Sequence, residues 1–355
     1  MSNTAKEIIV PNEPNIFRTI FLYVGQGDCT LMVVPYDEGY KYVLIDSNYD
    51  EDAGGIDILK LLKDLFEGQD RGLDVYINTH PHRDHLGRVK EIYEQVGIGQ
   101  LWHSGHKPGG DHKENYEELE FVIKKLGPEN VFRLRGSREE NELDEEQVKL
   151  GDINYNILAP ADYVSDDIEG EKPEERYNRI HEQCGVIRFK YGVVEKQILI
   201  TGDADYNAWK QHITEYHKDR LTSTVLSASH HGSRSFFWKD DDTDEDPYKE
   251  HLENIEPSYI IVSAPKENES KHNHPHKEAM DLYREKVGDD AVFHLGEKRE
   301  CIIVDITSGG DPPDLYPDDE LVRKYGKENG GDGGGGEKAI SSAAVAQIDK
   351  KPFGV

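Results

Sequence analysis

Four side chains of the kinds that bind metal ions lie within one short segment of the chain. His80, His82, Asp84 and His85 follow closely on the apolar run at residues 75–77. Burying uncompensated imidazole and carboxylate groups costs free energy unless a cation or hydrogen bonds offset it. Imidazole nitrogen and carboxylate oxygen together suit zinc or manganese. A His-x-His pair alone is common in loops, but the fuller pattern at the end of a strand predicts a metal site.

Three later segments carry side chains of the same kinds beside apolar runs. His181 precedes the run that begins at residue 185, and Asp203 ends the motif Thr-Gly-Asp. His230 and His231 lie in the motif Ser-His-His-Gly-Ser. In a layered α/β fold, the loops that leave the strands meet at one edge of the sheets. We therefore expect these segments to converge with the first cluster on one site.

Alternating strand and helix signals predict an α/β fold. Runs rich in β-branched and aromatic residues, bounded by turn residues, indicate strands. Apolar residues three and four positions apart indicate helices. The predicted strands cover residues 16–24, 29–35, 42–46, 73–78, 185–189, 197–200, 224–228, 259–263 and 301–304, and the predicted helices cover 55–66, 87–95, 116–126 and 277–286.

The chain of 355 residues is unusually acidic, with 42 basic and 71 acidic residues and a formal net charge of −29. This charge disfavours general electrostatic binding of nucleic acid, so action on DNA would need a local basic patch or bound cations. Cys29, Cys184 and Cys301 are far apart and form no CxxC pair, which indicates free thiols in a reducing compartment. Without a signal peptide or a run of ~20 apolar residues, we expect a soluble, cytoplasmic protein with no membrane contact.

The composition of the chain changes near residue 307, where we place a domain boundary. The residues that follow are rich in Gly, Pro and Asp, and the segment 330–336 holds six glycines and one aspartate. Such a composition is typical of a flexible linker. We therefore predict a folded domain at residues 1–307 and a flexible C-terminal tail at residues 308–355.

The order of these motifs resembles that of the metallo-β-lactamase superfamily. The resemblance is carried by the HxHxDH segment, a later histidine, Gly-Asp and His-His-Gly-Ser. More narrowly, the chain is similar to the ComEC type, the soluble metallohydrolase domain of DNA-uptake competence proteins, and to its free-standing bacterial relatives. The segments that carry the narrower resemblance lie at 24–28, 44–46, 201–203, 230–233 and 274–276, within residues 15–307.

This resemblance implies an αββα sandwich, in which helices flank two mixed β-sheets, with two divalent metal ions at one edge. Zinc and manganese both remain open as the metal. His231 is the adjacent alternative to His230, and Glu182 is the alternative to His181 if the register shifts by one residue. The implied ligands are His80, His82 and His181 for the first metal, Asp84, His85 and His230 for the second, and Asp203 as the bridge between them.

Other residues receive supporting roles. Asp84 would orient the attacking water or take its proton, and His274 would protonate the leaving oxygen. Ser233 and the backbone of Gly232 would donate hydrogen bonds to a phosphate. Asp28 and Asp46 are expected to fix loops through their carboxylates, and Asp46 is also a candidate to hold a ligand imidazole. His103 and His106 are expected at the pocket wall, and Asp205 at a helix N-cap. The histidines expected on the surface are His212, His217 and His251.

Three functions are compatible with these residues. The first is a metal-dependent phosphodiester hydrolase acting as a DNA nuclease, where the choice of DNA depends on the family resemblance. The second is a hydrolase of cyclic nucleotides or another small phosphodiester, with thioesters and lactams less favoured. The third is a non-catalytic metal-binding scaffold, which the intact ligand set argues against. The oligomeric state is left open.

The tail adds a regulatory hypothesis. Free-standing enzymes similar to this chain occur beside proteases in bacterial antiviral systems. Residues 339–355 are either a terminus without a role or a tethered plug that covers the site. A trypsin-like protease would cut at Lys338, Lys350 or Lys351 and would then be an activating partner. A chain ending at Asp305 that is no more active than the full chain would exclude the plug.

Overall fold

The computed structural model describes residues 4–326, except 38, 109–112, 142–147, 165–171, 173–174, 177–178, 195, 240–241, 268 and 271. The segment of glycines, the segment 339–355 and the three lysines named as protease sites lie outside the described residues. The predictions about them therefore stay predictions.

Two mixed β-sheets form the centre of the described structure. The strands, numbered along the chain, are β1 Ile16–Phe21, β2 Thr30–Tyr36, β3 Gly39–Ile45, β4 Leu73–Asn78, β5 Ile98–His103, β6 Val131–Arg133, β7 Asn154–Ala159, β8 Val186–Tyr191, β9 Lys196–Ile200, β10 Val225–Ser227, β11 Tyr259–Val262, β12 Val292–His294, β13 Cys301–Thr307 and β14 Asp314–Asp318. The larger sheet has the order β14-β13-β1-β2-β3-β4-β5-β6, and the smaller has the order β12-β11-β10-β9-β8-β7.

The direction of the strands determines where the functional loops meet. The pairs from β3 to β6 and from β9 to β12 are parallel. Parallel strands end at the same edge of a sheet, and ligand sites in such sheets lie outside their carboxyl ends. The loops after β4, β9 and β10, which carry the predicted ligand motifs, therefore leave the two sheets at such edges.

Helices cover the outer faces of both sheets. The helix Ile58–Leu65 begins at Asp57, whose side chain accepts a hydrogen bond from the backbone of Lys60. Its apolar face buries Leu61 and Leu62 in one cluster with Leu44 of the larger sheet. The helices are Ala5–Ile9, Ile58–Leu65, Val89–Gln95, Lys113–Leu126, Glu250–Ile255, Lys277–Val287, Leu295–Lys298 and Glu320–Tyr325, with a π-helix at Ala208–Ile213.

The inner faces of the two sheets share a second hydrophobic cluster. Phe17 and Trp102 from the larger sheet and Tyr155 and Phe189 from the smaller sheet are all buried in it. The rings of Trp102 and Tyr155 lie 5.1 Å apart across this interface. A third cluster, which includes Trp209, lies between the smaller sheet and its helices. The layers are therefore helix, sheet, sheet and helix, which confirms the predicted αββα sandwich.

The folded part of the chain continues beyond the boundary predicted at residue 307. Strand β14 pairs antiparallel with β13, and the helix Glu320–Tyr325 follows it. Leu321 and Tyr325 are buried in the cluster under the larger sheet, and the Asp57 amide donates to the Tyr325 carbonyl at 2.9 Å. The prediction failed here because Pro and Asp, which usually mark loops, occur within this edge strand.

We expect Leu321→Ala to lower the free energy of unfolding by about 2–5 kcal/mol, because it opens a cavity at a fully buried position. Urea denaturation monitored by circular dichroism measures this change. Val193→Ala is the control, since Val193 is 87% exposed and its replacement should change stability by less than about 0.5 kcal/mol. Equal effects of the two substitutions would show that residues 314–325 are not part of the core.

Two smaller expectations concern thiols and membranes. All three cysteines are free, as predicted, and all three are buried. Among the described residues, no helix combines the length and the apolar character that crossing a bilayer requires.

Candidate metal centre

The loop after β4 places its histidines inside the protein. His80 and His85 are fully buried, and His82 is 7% exposed. The side-chain amide of Asn78 donates to the carbonyl oxygens of His80 and His85, at 2.8 and 3.2 Å. Residues Arg83–His85 then form a single 3-10 turn. These bonds fold the HxHxDH segment into a compact loop, so that its imidazoles converge.

One group of ligand-type atoms, here called the first group, consists of His80, His82, His181 and Asp203. Its atoms all lie within 4.8 Å of one another. His181 Nε2 is 3.2 Å from His82 Nδ1 and 3.8 Å from Asp203 Oδ2. His80 Nε2 is 3.5 Å from the same carboxylate oxygen. The structure therefore brings together the four residues that the resemblance assigns to the first metal and the bridge.

The second group consists of Asp28, His85, Asp203 and His231, whose atoms also lie within 4.8 Å of one another. His85 Nε2 is 3.2 Å from His231 Nε2 and 3.1 Å from Asp203 Oδ1. Asp84 Oδ2 lies 3.4 Å from His231 Nε2 and so approaches the same point. Asp28 instead lies behind the imidazoles, 4.0 Å from His85 Nδ1 and 3.5 Å from His231 Nδ1.

Asp203 connects the two groups. Its Oδ2 faces the first group and its Oδ1 faces the second. It follows β9 in Thr-Gly-Asp, where Gly202 has a φ of +47°. A Cβ at Gly202 would lie 2.7 Å from both Cys184 Sγ and Thr79 Oγ1. The glycine therefore lets the chain turn tightly, and the turn places Asp203 between the groups, which is the position that the predicted bridging role requires.

The adjacent histidines of Ser-His-His-Gly-Ser point to different sides of Asp203. Both have left-handed backbone conformations, with φ of 49° for His230 and 55° for His231. His231 Nε2 lies 3.5 Å from Asp203 Oδ1, in the second group. His230 Nε2 lies 3.6 Å from Oδ2, on the side of the first group. The assignment of His230 to the second metal is therefore replaced by its alternative, His231. Such strained backbone is concentrated at functional sites.

Outer hydrogen bonds fix the orientation of the imidazoles in the second group. Asp46 accepts from the Thr79 amide at 2.7 Å, from Thr79 Oγ1 at 2.6 Å and from His85 Nδ1 at 2.8 Å. His231 Nδ1 donates to the carbonyl oxygen of Ser263 at 3.0 Å. Both Nε2 atoms thereby face the group, which is how metal-ligating histidines are held. Burial opposes the charge of these rings, but nearby carboxylates, Asp203 foremost, raise the pKa of both His85 and His231, so a bound cation would displace the Nε2 proton of each. Asp46 thus has the geometry predicted for it, while Thr79 and Ser263 had no predicted role.

The charges of these residues favour a bound cation. Burial opposes ionisation of Asp203, but the surrounding imidazoles, His85 foremost, hold its pKa well below the usual range. Burial lowers the pKa of His80 to about 3, so its ring is in the neutral form that binds metals. His80 Nε2 and Asp203 Oδ1 are buried and make no hydrogen bond. Divalent cations would satisfy both atoms, so the residues present fit a centre of two ions.

Comparison with protein families agrees with this geometry. The family model described as the metallo-β-lactamase superfamily matches residues 22–235, more than half of the chain. The chain belongs to the metallo-β-lactamase superfamily. The match includes every residue of the two groups. No curated protein matches the chain significantly, and the narrower similarity to the ComEC type stays a prediction.

Several solved structures are similar in fold to this chain. A metallo hydrolase, Igni18, from the archaeon Ignicoccus hospitalis KIN4/I matches 84% of this chain and 98% of its own, at 10% identity and a TM-score of 0.43. A variant of the CmlA β-hydroxylase matches 80% of this chain and 52% of its own, at 13% identity and a TM-score of 0.40. A metallo-β-lactamase from Hirschia baltica matches 72% of this chain and 90% of its own, at 14% identity and a TM-score of 0.32.

The motifs His-His-Gly-Ser at residues 230–233 and His-Pro-His at residues 274–276 contact each other beside the centre. His274 is 7% exposed, and its ring lies 5.0 Å from that of His230. A Cβ at Gly232 would come within 2.8 Å of Pro275 Cβ, and the Gly232 carbonyl accepts from the His276 amide. Ser233 Oγ accepts from the Ser235 amide at 3.2 Å, which caps the following turn. Gly232 and Ser233 therefore hold these two segments together, and the expected donation by Ser233 and the Gly232 backbone to a phosphate stays a prediction.

The other predicted pocket residues lie beside the centre and belong to neither group. Burial lowers the pKa of His103 to about 4, with Arg133 adding to the effect. His106 hydrogen-bonds Gln183, near His181. Glu182 bonds His212 Nε2 at 2.7 Å. Glu182 therefore does not replace His181 in the first group, and His106 helps hold the segment that carries His181.

Three histidines predicted on the surface have structural roles instead. His217 and His251 are buried, at 1% and 0% exposure. His212 links Glu182 to Tyr163, whose hydroxyl lies 2.7 Å from His212 Nδ1. The sequence prediction was wrong because isolated polar residues give no periodic signal of burial. Asp205 Oδ1 accepts from the Ala208 amide at 3.0 Å, which agrees with its predicted capping role.

Acid should destabilise the fold through His251, whose pKa burial lowers to about 4 from an ordinary value of 6.5. Between these values the unfolded chain binds a proton that the folded chain does not. Stability is therefore lost as the pH falls through 6.5, by about 2 kcal/mol at pH 5. Urea unfolding at pH 7 and pH 5 measures this loss, which His251→Gln should reduce. Equal losses in both proteins would contradict the prediction.

Proposed function

We propose that this chain is a metal-dependent phosphodiester hydrolase with DNA as its substrate. The observation that carries the proposal is the position of two groups of ligands on opposite oxygens of Asp203. Two divalent ions held there would supply Lewis acidity and a nucleophile generated from water at neutral pH. Centres of this kind suit phosphodiesters, because charge develops on both the attacking and the leaving oxygen.

Asp84 is the carboxylate best placed to orient water. Its side chain is 28% exposed, and its Oδ2 lies 3.4 Å from His231 Nε2. Burial opposes its charge, but His231 and His85 hold its pKa well below the usual range. Asp84 is therefore ionised at neutral pH and can accept a hydrogen bond from a water at the open side of the second group.

The environment of His274 does not favour the expected role of proton donor to the leaving oxygen. Burial, together with the imidazoles of His230 and His231, lowers the pKa of His274 to about 2. The ring is therefore neutral at pH 7, and the predicted proton transfer to the leaving oxygen would need the protonated form. His274 Nδ1 is buried without a hydrogen bond. A neutral imidazole still donates one N–H, so we assign His274 to hydrogen bonding a substrate oxygen.

The choice of DNA is supported by the similarity to the DNA-uptake type and is opposed by the net charge of −29. That charge disfavours tight binding to a duplex and favours single strands or small phosphodiesters such as cyclic dinucleotides. Hydrolysis of a small phosphodiester is therefore the second candidate function.

One set of assays separates these candidates. The metal-free chain is incubated with Mn²⁺ or Zn²⁺ and with plasmid, single-stranded DNA, cyclic dinucleotides or bis(p-nitrophenyl) phosphate. Cleavage of DNA supports the proposal, and cleavage of cyclic dinucleotides alone supports the second candidate. A β-lactam and a thioester are tested in parallel. Turnover of one of these without any phosphodiesterase activity would refute both candidates.

The hypothesis that the tail covers the site must be tested with a truncation at a residue other than Asp305. A chain ending at Asp305 would lack β14 and the helix that buries Leu321. A chain ending at Gly326 keeps both. If residues 327–355 restrain the enzyme, this shorter chain cleaves the substrate faster than the full chain does. Equal rates would exclude the plug.

A further inference from the structure

We infer that the two groups hold their ions with unequal strength, and that the second group loads first. This inference rests on the proposed centre of two ions. It concerns the binding of metal to each half, separately from the reaction. Three differences between the groups lead to it: the number of nearby carboxylates, the partners of the imidazoles, and the exposure of the outermost histidine.

The carboxylates are concentrated around the second group. Asp84 and Asp203 Oδ1 face it, while Asp46 and Asp28 lie directly behind its imidazoles, at 2.8 Å from His85 Nδ1 and 3.5 Å from His231 Nδ1. Among the described residues, the only carboxylate grouped with the first-group histidines is the shared Asp203. Attraction of a divalent cation rises with each nearby negative charge, and is strongest where water is excluded. Carboxylate oxygen is also the ligand that Mn²⁺ favours.

The hydrogen-bond partners of the imidazole Nδ1 atoms also favour tighter metal binding in the second group. His85 Nδ1 contacts the Asp46 carboxylate, and His231 Nδ1 donates to a backbone carbonyl. In the first group, His80 Nδ1 contacts the hydroxyl of Thr79 at 3.2 Å and the thiol of Cys184 at 3.6 Å. A carboxylate behind a ligand imidazole makes the ligand more basic, and its loss typically lowers metal affinity 10–100-fold. The second group has this support directly, whereas Asp46 reaches His80 only through Thr79.

The outermost histidines also differ in exposure. The His181 side chain is 20% exposed, whereas that of His231 is 1% exposed. The first group therefore has the more exposed imidazole ligand, and water displaces an exposed ligand from a metal more easily than a buried one. All three differences favour tighter binding in the second group.

Titration of the metal-free full chain with Mn²⁺ tests the inference. Calorimetry, with free Mn²⁺ followed by electron paramagnetic resonance, should show two steps that differ in affinity by at least about tenfold. His231→Ala should remove the tight step and leave the weak one, and His181→Ala should do the reverse. Two steps of equal affinity, or loss of the tight step in His181→Ala, would overturn the inference.

A milder variant tests the cause. Asp28→Asn keeps the side-chain volume and should weaken only the tight step, by about 10–100-fold. Asp50→Asn is the matched control, because Asp50 accepts hydrogen bonds from the amides of Gln26 and Ala53 in the neighbouring loop and should leave both steps unchanged. Equal weakening in the two variants would overturn the assignment to Asp28. Two unequal steps without phosphodiesterase activity would support the inference while refuting the proposed function.

Discussion

Replacing Asp203 with asparagine is expected to reduce phosphodiesterase activity by on the order of 10³-fold or more. One oxygen of this carboxylate lies 3.5 Å from His80 Nε2 and the other 3.1 Å from His85 Nε2, so both groups depend on it. The amide keeps the volume but removes the charge and presents an NH₂ group to one of the ions. Initial rates on bis(p-nitrophenyl) phosphate with Mn²⁺, together with metal content by mass spectrometry, measure the loss. Both quantities should fall together.

Asp205→Asn provides the control for this substitution. It makes the same change of charge two residues further along, where the carboxylate caps the turn at Ala208 and contacts no histidine of either group. Its activity and metal content should stay close to those of the unaltered chain. If the Asp203→Asn chain still binds two ions and hydrolyses phosphodiesters at the normal rate, Asp203 does not bridge the ions and the proposed centre is wrong.

The first cluster of ligands was predictable because it is local. The spacing of the HxHxDH segment after an apolar run was enough to predict that its imidazoles converge, and His80 and His85 are indeed fully buried. His181 and Asp203 lie about 100 residues or more from that segment. Only the order of motifs in a known family, combined with the rule that loops meet at one sheet edge, brought them into the prediction.

The choice between His230 and His231 shows where sequence reasoning stops. The two residues are adjacent and chemically identical, so only the backbone decides which of them faces which group. Their consecutive left-handed conformations, which non-glycine residues rarely adopt, send the two rings to opposite oxygens of Asp203. No propensity predicts such a turn. Gly232 and the neighbouring Pro275, which pack closely together, identify the segment as constrained only once the fold is known.

The chemical type of the groups that hydrogen-bond the ligand imidazoles was predictable, but not every residue that supplies them. A carboxylate behind a ligand histidine was expected, and Asp46 fills that place. Ser263, in contrast, contributes its backbone carbonyl. Because every residue has such a carbonyl, the residue type at position 263 does not indicate this role. The C-terminal boundary was misplaced for a related reason. Strand β14 is an exposed edge strand whose polar residues resemble a loop, and its pairing with β13 is visible only in three dimensions.

His274→Ala is expected to lower kcat by about 10²–10³-fold, the usual cost of one hydrogen-bond donor to developing charge. His274 lies in neither group, so the variant should still bind two ions. Its ring is 5.0 Å from that of His230 and 5.9 Å from that of His231, which places it within reach of a substrate bound at the centre. Steady-state kinetics on a small phosphodiester, with metal content as the accompanying measurement, test this expectation.

The role of His274 is decided by a second substitution. Its pKa of about 2 means that the ring acts as a neutral donor at pH 7, and the amide of glutamine is also a neutral donor. His274→Gln should therefore recover part of the rate that His274→Ala loses, and neither variant should change the pH profile between 6 and 8. A glutamine variant as slow as the alanine variant, together with the disappearance of an alkaline limb from the profile, would instead assign proton donation to His274. In that case the substrate phosphate must raise the pKa of His274 on binding, since a negative charge beside the ring favours its protonated form.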